Sequence, residues 1–171
     1  MWLLRFLMLL ALIVWIGGII FFAFVEAPVL FAHGSFYYER GSVIRASLAS
    51  LHAMGIVAGI VFLVCSVRYS FIKHLQLRIV SLLHGLVVLM LVLTGISQFA
   101  VTPKIHTILE QTHFGVEIPP ETDNYPNDPS FPQKRNEFNR LHTLSTKLEG
   151  GVLFLGLSVV ALTARRFEDR N

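Results

Sequence analysis

The sequence predicts an all-α integral membrane protein, a single domain over residues 1–171 built as an antiparallel four-helix bundle. Three observations carry that reading. First, 54% of the residues are hydrophobic and only 15% charged, with a mean hydropathy of +0.63, a composition of the membrane class. Second, the formal charges leave gaps of 20 residues at 6–25, 22 at 46–67 and 25 at 79–103. Each gap is long enough to cross a hydrocarbon core at about 1.5 Å of rise per residue. Third, a shorter run of 15 uncharged residues at 150–164 makes a fourth crossing if the helix starts near Leu141 and takes in Lys147 and Glu149. Lys147 can snorkel outward, whereas Glu149 lies deeper and should face protein. A soluble bundle would have too little polar surface to cover four such cylinders, and the chain is too short for two independent globular units.

The elements follow in order. Helix one, about 4–32, has an early Arg5 but a long apolar run without a small-x-small cleavage pattern, so it reads as a retained helix and not a signal peptide. Trp15, Gly18, Phe22 and Glu26 share one broad face of it. Gly17 and Gly18 remove bulk where another helix can approach, and Pro28, lacking an N–H, predicts a kink and a freed acceptor near the Phe24 carbonyl. The turn from His33 to Ser42 carries Phe36, Tyr37 and Tyr38, which suit the headgroup level. Helix two, about 44–67, places His52, Gly55 and Gly59 on one face, with the lone Cys65 as apolar filler that cannot form an intrachain disulfide. Helix three, about 79–102, has a stripe of His84, Val88, Leu91, Gly95, Gln98 and Thr102. An outward polar loop at 104–137 begins with Ile105, Ile108 and Leu109 at helical spacing, suited to lying along the interface. From Pro119 to Pro132 it holds five prolines among Asp and Asn, the composition of a loop ordered by contact or a mobile one, and its length makes it a candidate docking surface. Helix four, about 138–164, offers His142, Ser145 and Glu149 on one face, with Gly156 two turns on.

Orientation follows from the density of positive charge. Arg5, Arg68, Lys73, Arg78, Arg165, Arg166 and Arg170 lie in short segments on the side that holds both termini. The other seven basic residues share their side with nine of the eleven acids. The positive-inside rule weights short segments most, which puts both termini in the cytoplasm of a bacterial inner membrane. The net charge of +3 gathers at helix ends and forms no nucleic-acid face.

An ionisable group inside a lipid-spanning run faces protein or water and marks a functional site by default. Depth along the helices brings Glu26, His52, His142 and Glu149 toward one polar cluster in the outer half of the bundle. His84 enters from the opposite side, roughly 10–15 Å from His52 along the membrane normal by helical rise, which opposes a His52–His84 haem clamp. Gly17, Gly18, Gly55, Gly59, Gly95 and Gly156 are the candidate helix-packing positions, and His84, Gln98 and Thr102 form a secondary polar stripe. A Glu with two His residues can coordinate a transition metal, with His52, His142 and Glu26 as candidates. The same residues serve equally as a proton relay or an internal hydrogen-bond network. No phosphate loop, cysteine cluster or nucleophile elbow is present, so no catalytic residue is assigned and an enzyme is the lesser expectation. No cofactor is expected first, with haem or a metal as the alternative.

Two motifs carry a resemblance. Trp15-Ile-Gly-Gly-Ile-Ile-Phe-Phe-Ala-Phe-Val-Glu-Ala-Pro-Val-Leu-Phe31 resembles the opening of the bacterial family related to transmembrane protein 205, a domain of unknown function. Phe138-Asn-Arg-Leu-His142-Thr-Leu-Ser145 is similar to that family's later Phe-x-x-Leu-His-x-x-Ser signature. Glu26 departs from the family pattern, where an apolar residue often precedes the Ala-Pro. The resemblance implies a small four-helix membrane protein without an assigned catalytic role. Trp15-Ile-Gly-Gly18 is also similar to a motif of copper-resistance membrane proteins, which adds slightly to the metal alternative. Lipid and a larger respiratory or photosynthetic membrane complex, joined as an accessory subunit, are the expected partners. Movement of a small solute or protons is the other alternative.

Overall fold

The structure, a computed structural model, describes residues 2–33, 37–73, 77–112 and 131–168. Six α-helices account for nearly all of them: α1 (Trp2–Phe21), α2 (Ala27–His33), α3 (Tyr37–Lys73), α4 (Leu77–Ile96), α5 (Thr102–Thr112) and α6 (Phe131–Glu168). Among the described residues there is no strand. Two π-helical turns, Phe22–Glu26 and Ser97–Val101, run α1 into α2 and α4 into α5 without a break. Four segments are long and apolar enough to cross a membrane: Trp2–Leu30, Val43–Ile72, Leu82–Leu109 and Pro132–Arg165. We call them spans one to four.

The helices outrun the expected boundaries. The helix α3 begins at Tyr37, inside the turn expected at His33 to Ser42, and with α5 running to Thr112 and α6 starting at Phe131 both ends of the outward loop expected at 104–137 are helical. The stretch 113–130, with most of its prolines, lies outside the described residues, as do Phe36 and His74. Helix α5 does not leave the bundle to lie flat. It extends span three and packs against α6, with Ile108 buried.

Both π turns have the same local cause. Each ends two residues before a proline, Pro28 or Pro103, and in each the residue between donates its N–H five residues back, Ala27 to the Phe22 carbonyl and Thr102 to the Ser97 carbonyl. A proline in a helix has no N–H to donate, and its ring clashes with the carbonyl four residues earlier. The wider π turn moves that carbonyl aside, so the chain continues where Pro28 alone predicts a kink. Thr102 adds a second bond, its hydroxyl donating to the Ser97 carbonyl at 2.9 Å.

Packing follows alternating steps of three and four residues. Span three buries Leu83, Val87, Met90, Thr94, Ser97 and Val101, and span four buries Ser145, Val152, Val159 and Thr163 together with Gly156. This is the seam of helices crossing at shallow angles. Span one packs on span two, span two on span three, and span three on span four, with a smaller contact between spans one and four. The indole of Trp15, 2% exposed, fills the space that Gly55 and Gly59 leave empty. A Cβ on Gly55 would lie 2.8 Å from Trp15 Cδ1, and one on Gly59 would lie 2.7 Å from Trp15 Cζ3. Gly18 sits against Leu51, and Gly156 against Ile16 and Met90. Gly17 and Gly95 do not share this role. A Cβ on either meets nothing within 4 Å, because both turn away from the seam. At the start of span one, Arg5 donates from Nε (3.0 Å) and Nη2 (2.6 Å) to the hydroxyl of the fully buried Tyr69. The guanidinium also lies 5.3 Å from that ring's centroid.

Outside the seam the surface is apolar. Ile13, Phe24, Val57, Phe71, Phe99 and Phe154 are all more than 60% exposed. Exposed apolar cover on every span is untenable in water but matches hydrocarbon, where lipid tails are as apolar as leucine.

Candidate functional site

One polar network crosses the interior. His52, on α3, is 2% exposed, and both of its ring nitrogens are engaged. Nδ1 lies 2.7 Å from Gln98 Oε1 and Nε2 lies 2.6 Å from Glu149 Oε1. Ser97 Oγ donates to the same carboxyl oxygen at 3.0 Å. The group therefore ties span two to span three through Gln98 and to span four through Glu149, and Ser97 ties span three to span four. Ser97 and Gln98 both belong to the π turn, and two adjacent residues of a regular helix would face about 100° apart. The wider turn and the bond from Thr102 to the Ser97 carbonyl hold both side chains toward span two and span four.

The proton count is limited. With the Gln98 amide oxygen facing Nδ1, that nitrogen carries a hydrogen and donates it. A single proton then lies between Nε2 and Glu149 Oε1, as N–H···O⁻ or as N···H–O. Either form leaves the pair neutral overall, which removes most of the penalty of burying charge in hydrocarbon. Oε1 accepts from Ser97 as well as His52, the pattern of an ionised carboxylate. Glu149 itself is 17% exposed at its side chain.

The expected set of four does not assemble. His52 and Glu149 meet, whereas His142 is exposed and stacks on Phe138, one turn earlier on its own helix, with ring centroids 5.9 Å apart. Glu26 lies in a separate groove of about 360 Å³ between spans one and two, alongside Gly18, Ser47, Ser50, Leu51 and Met54. Lys147 is exposed, in keeping with a snorkelling role. The secondary stripe divides too. Gln98 joins the network, Thr102 braces it from behind, and His84 stands fourteen residues before Gln98, about 21 Å away by helical rise. The buried stripe of span three is displaced by one residue from the expected one, so that Val88 is exposed while Val87 is fully buried.

The three metal candidates, His52, His142 and Glu26, thus occupy three different places. Among the described residues no three His, Cys, Asp or Glu side chains converge on a point that would hold an ion. Ser97 was not singled out by sequence reasoning. The signal for it was the polar Ser-Gln pair standing five and six residues ahead of a proline in an otherwise apolar run, where a π turn opens the backbone.

The model of one protein family matches residues 10–113. The match takes in His52, Ser97 and Gln98 and stops short of Glu149. It is to a domain of unknown function, and nothing in it ties the chain to the transmembrane-protein-205-like family. No curated protein and no solved structure matches the chain. Spanning well over half of the 171 residues, the match places the protein in the family described as a domain of unknown function, DUF4149.

Proposed function

We propose that this protein is a non-catalytic accessory subunit of a larger membrane complex, respiratory or photosynthetic. Its four spans run antiparallel, with both termini on the cytoplasmic side of a bacterial inner membrane. The observation that carries the reading is the closed network at His52. Both ring nitrogens are engaged, by Gln98 and Glu149, and Ser97 donates to the same Glu149 oxygen. Such a network fixes the mutual rotation of three helices and leaves the His52 ring with no free nitrogen for a substrate. The pairings of Arg5 with Tyr69, Trp15 with Gly59 and Gly18 with Leu51 favour the antiparallel order. The dense basic ends of the short segments favour cytoplasmic termini. The apolar outer wall suits packing against other membrane helices, and the resemblance of the Trp15 and His142 motifs to the transmembrane-protein-205-like family fits a protein without catalytic groups. Mild-detergent purification from the native host should recover the protein in a particle far larger than 19.2 kDa, with partners identifiable by mass spectrometry. A monodisperse, partner-free protein would overturn the proposal.

Proton or small-solute movement is the second reading, favoured by the one proton that His52 and Glu149 share. It requires flux in proteoliposomes that Glu149→Gln abolishes. Beyond the network, along the same helices, Phe62, Val87, Met90, Val152 and Val159 are each 1% exposed or less. The interior there is mostly apolar, with the hydroxyls of Ser66, Thr94 and Thr163 buried among those side chains, and that composition is why the accessory reading is preferred.

A further inference from the structure

The groove at Glu26 plays no part in the His52 network, yet it has the makings of a ligand site. Its volume of about 360 Å³ falls in the range of small-molecule sites. Three oxygen-bearing side chains line it: the half-buried Glu26 and Ser47, and the exposed Ser50. Among the described residues none of the three has a hydrogen-bond or ion-pair partner. Glu26 stands four residues before Leu30, where span one ends, or about 6 Å of helical rise. The carboxyl is therefore close to headgroup depth. From there the groove runs inward past Leu51 and Met54 to Gly18, eight residues and about 12 Å deeper than Glu26. Its inner walls are apolar, and Met54 and Phe21 are exposed on its rim, so it opens to lipid.

We infer that this groove binds a phospholipid whose headgroup ends in a primary ammonium, as in phosphatidylethanolamine. The ammonium sits against Glu26, Ser47 and Ser50, and an acyl chain lies along Leu51 and Met54 toward Gly18. Two features select this occupant. A carboxyl at the edge of hydrocarbon calls for a cation, since an uncompensated charge there is expensive. A primary ammonium also has three N–H donors, a match for one carboxylate and two hydroxyls, whereas a quaternary ammonium carries the same charge with no donor. The membrane supplies such a lipid at high concentration directly at the groove mouth.

The test is native mass spectrometry of the full-length protein, released from gentle detergent after incubation with phosphatidylethanolamine, phosphatidylcholine or phosphatidylglycerol of matched acyl chains. The wild-type protein should retain phosphatidylethanolamine roughly tenfold over phosphatidylcholine, the discrimination a charge-assisted hydrogen bond provides. Glu26→Gln, which removes the charge, and Ser50→Leu, which fills the groove mouth, should each bring the two lipids to parity. Far-UV circular dichroism and the melting temperature establish that each variant is folded, and either folded variant suffices. Equal retention by the wild-type protein overturns the inference whatever the variants do. So does a preference that survives Glu26→Gln, or a dimer that excludes lipid and is broken by Ser50→Leu.

Discussion

Replacing His52 by Leu reports on how the shared proton is held. The substitution fills most of the same space but removes both ring nitrogens, leaving Glu149 Oε1 with Ser97 alone and Gln98 Oε1 without the donor now 2.7 Å away. If the pair is ionised, breaking it strands a carboxylate, at a cost of about 3–5 kcal/mol. If the proton rests on Glu149, only two neutral hydrogen bonds are lost, and such bonds inside membrane proteins average about 0.6 kcal/mol each. The double acceptance at Oε1 favours the ionised form. For a chain of this length about 2–4 °C of melting temperature corresponds to 1 kcal/mol, so His52→Leu should lower the melting temperature by roughly 6–20 °C. The assay is thermal unfolding in mild detergent, followed by the fluorescence of Trp15 and by far-UV circular dichroism. Combining His52→Leu with Glu149→Leu removes both partners, and apolar replacement of a whole buried pair is often neutral or stabilising. Ser97 can turn to a carbonyl of its own helix, so the double variant should recover to within about 1–2 kcal/mol of wild type, the cost of the Gln98 oxygen left over. A fall of less than about 3 °C in the single variant would place the proton on Glu149. A double variant no more stable than the singles would refute the claim that the two side chains are energetically coupled.

Two further outcomes test the packing. Gly55→Ala and Gly59→Ala drive a methyl into Trp15 and should each destabilise by about 1–3 kcal/mol through overpacking. Gly17→Ala and Gly95→Ala, which point into open space, should be neutral or stabilise by up to about 1 kcal/mol through helix propensity. The same melting assay separates the pairs, and a uniform response across all four glycines would contradict the seam. Tyr69→Phe removes the oxygen that accepts from two guanidinium nitrogens and should cost about 1.5–3 kcal/mol, as for a hydrogen bond to a charged group. Thiol labelling of Met8→Cys, a fully buried position of span one, in a Cys65→Ala background should rise when Tyr69→Phe is added if the clamp holds span one against span two, and unchanged labelling would count against it.

The spans themselves, and the glycines at 18, 55, 59 and 156, were legible in the sequence because hydropathy and side-chain volume are local properties. A run without charge is long enough to cross a membrane whatever it packs against. Membership of a polar cluster is different in kind, because it depends on the rotation of each helix about its axis, at about 100° per residue. The stripe drawn from His84 is off by one residue along its whole length, since Leu83, Val87, Met90 and Thr94 are already the buried positions ahead of the π turn. Nothing local to span three sets that rotation; it follows from the helices packed on either side.

Depth alone placed Glu26 and His142 beside His52. The tertiary structure turned Glu26 toward a lipid-facing groove and His142 toward the surface, and it filled their places with Gln98 and the unforeseen Ser97. The sequence by itself thus determined that four helices are long and apolar enough to cross a membrane and that a histidine buried in such a run must find a partner, since hydrocarbon offers it no water. Only the packed bundle decided that its partners are Glu149 and Gln98, with Ser97 joining through Glu149, because helix rotation is set jointly by all the seams and by no single segment.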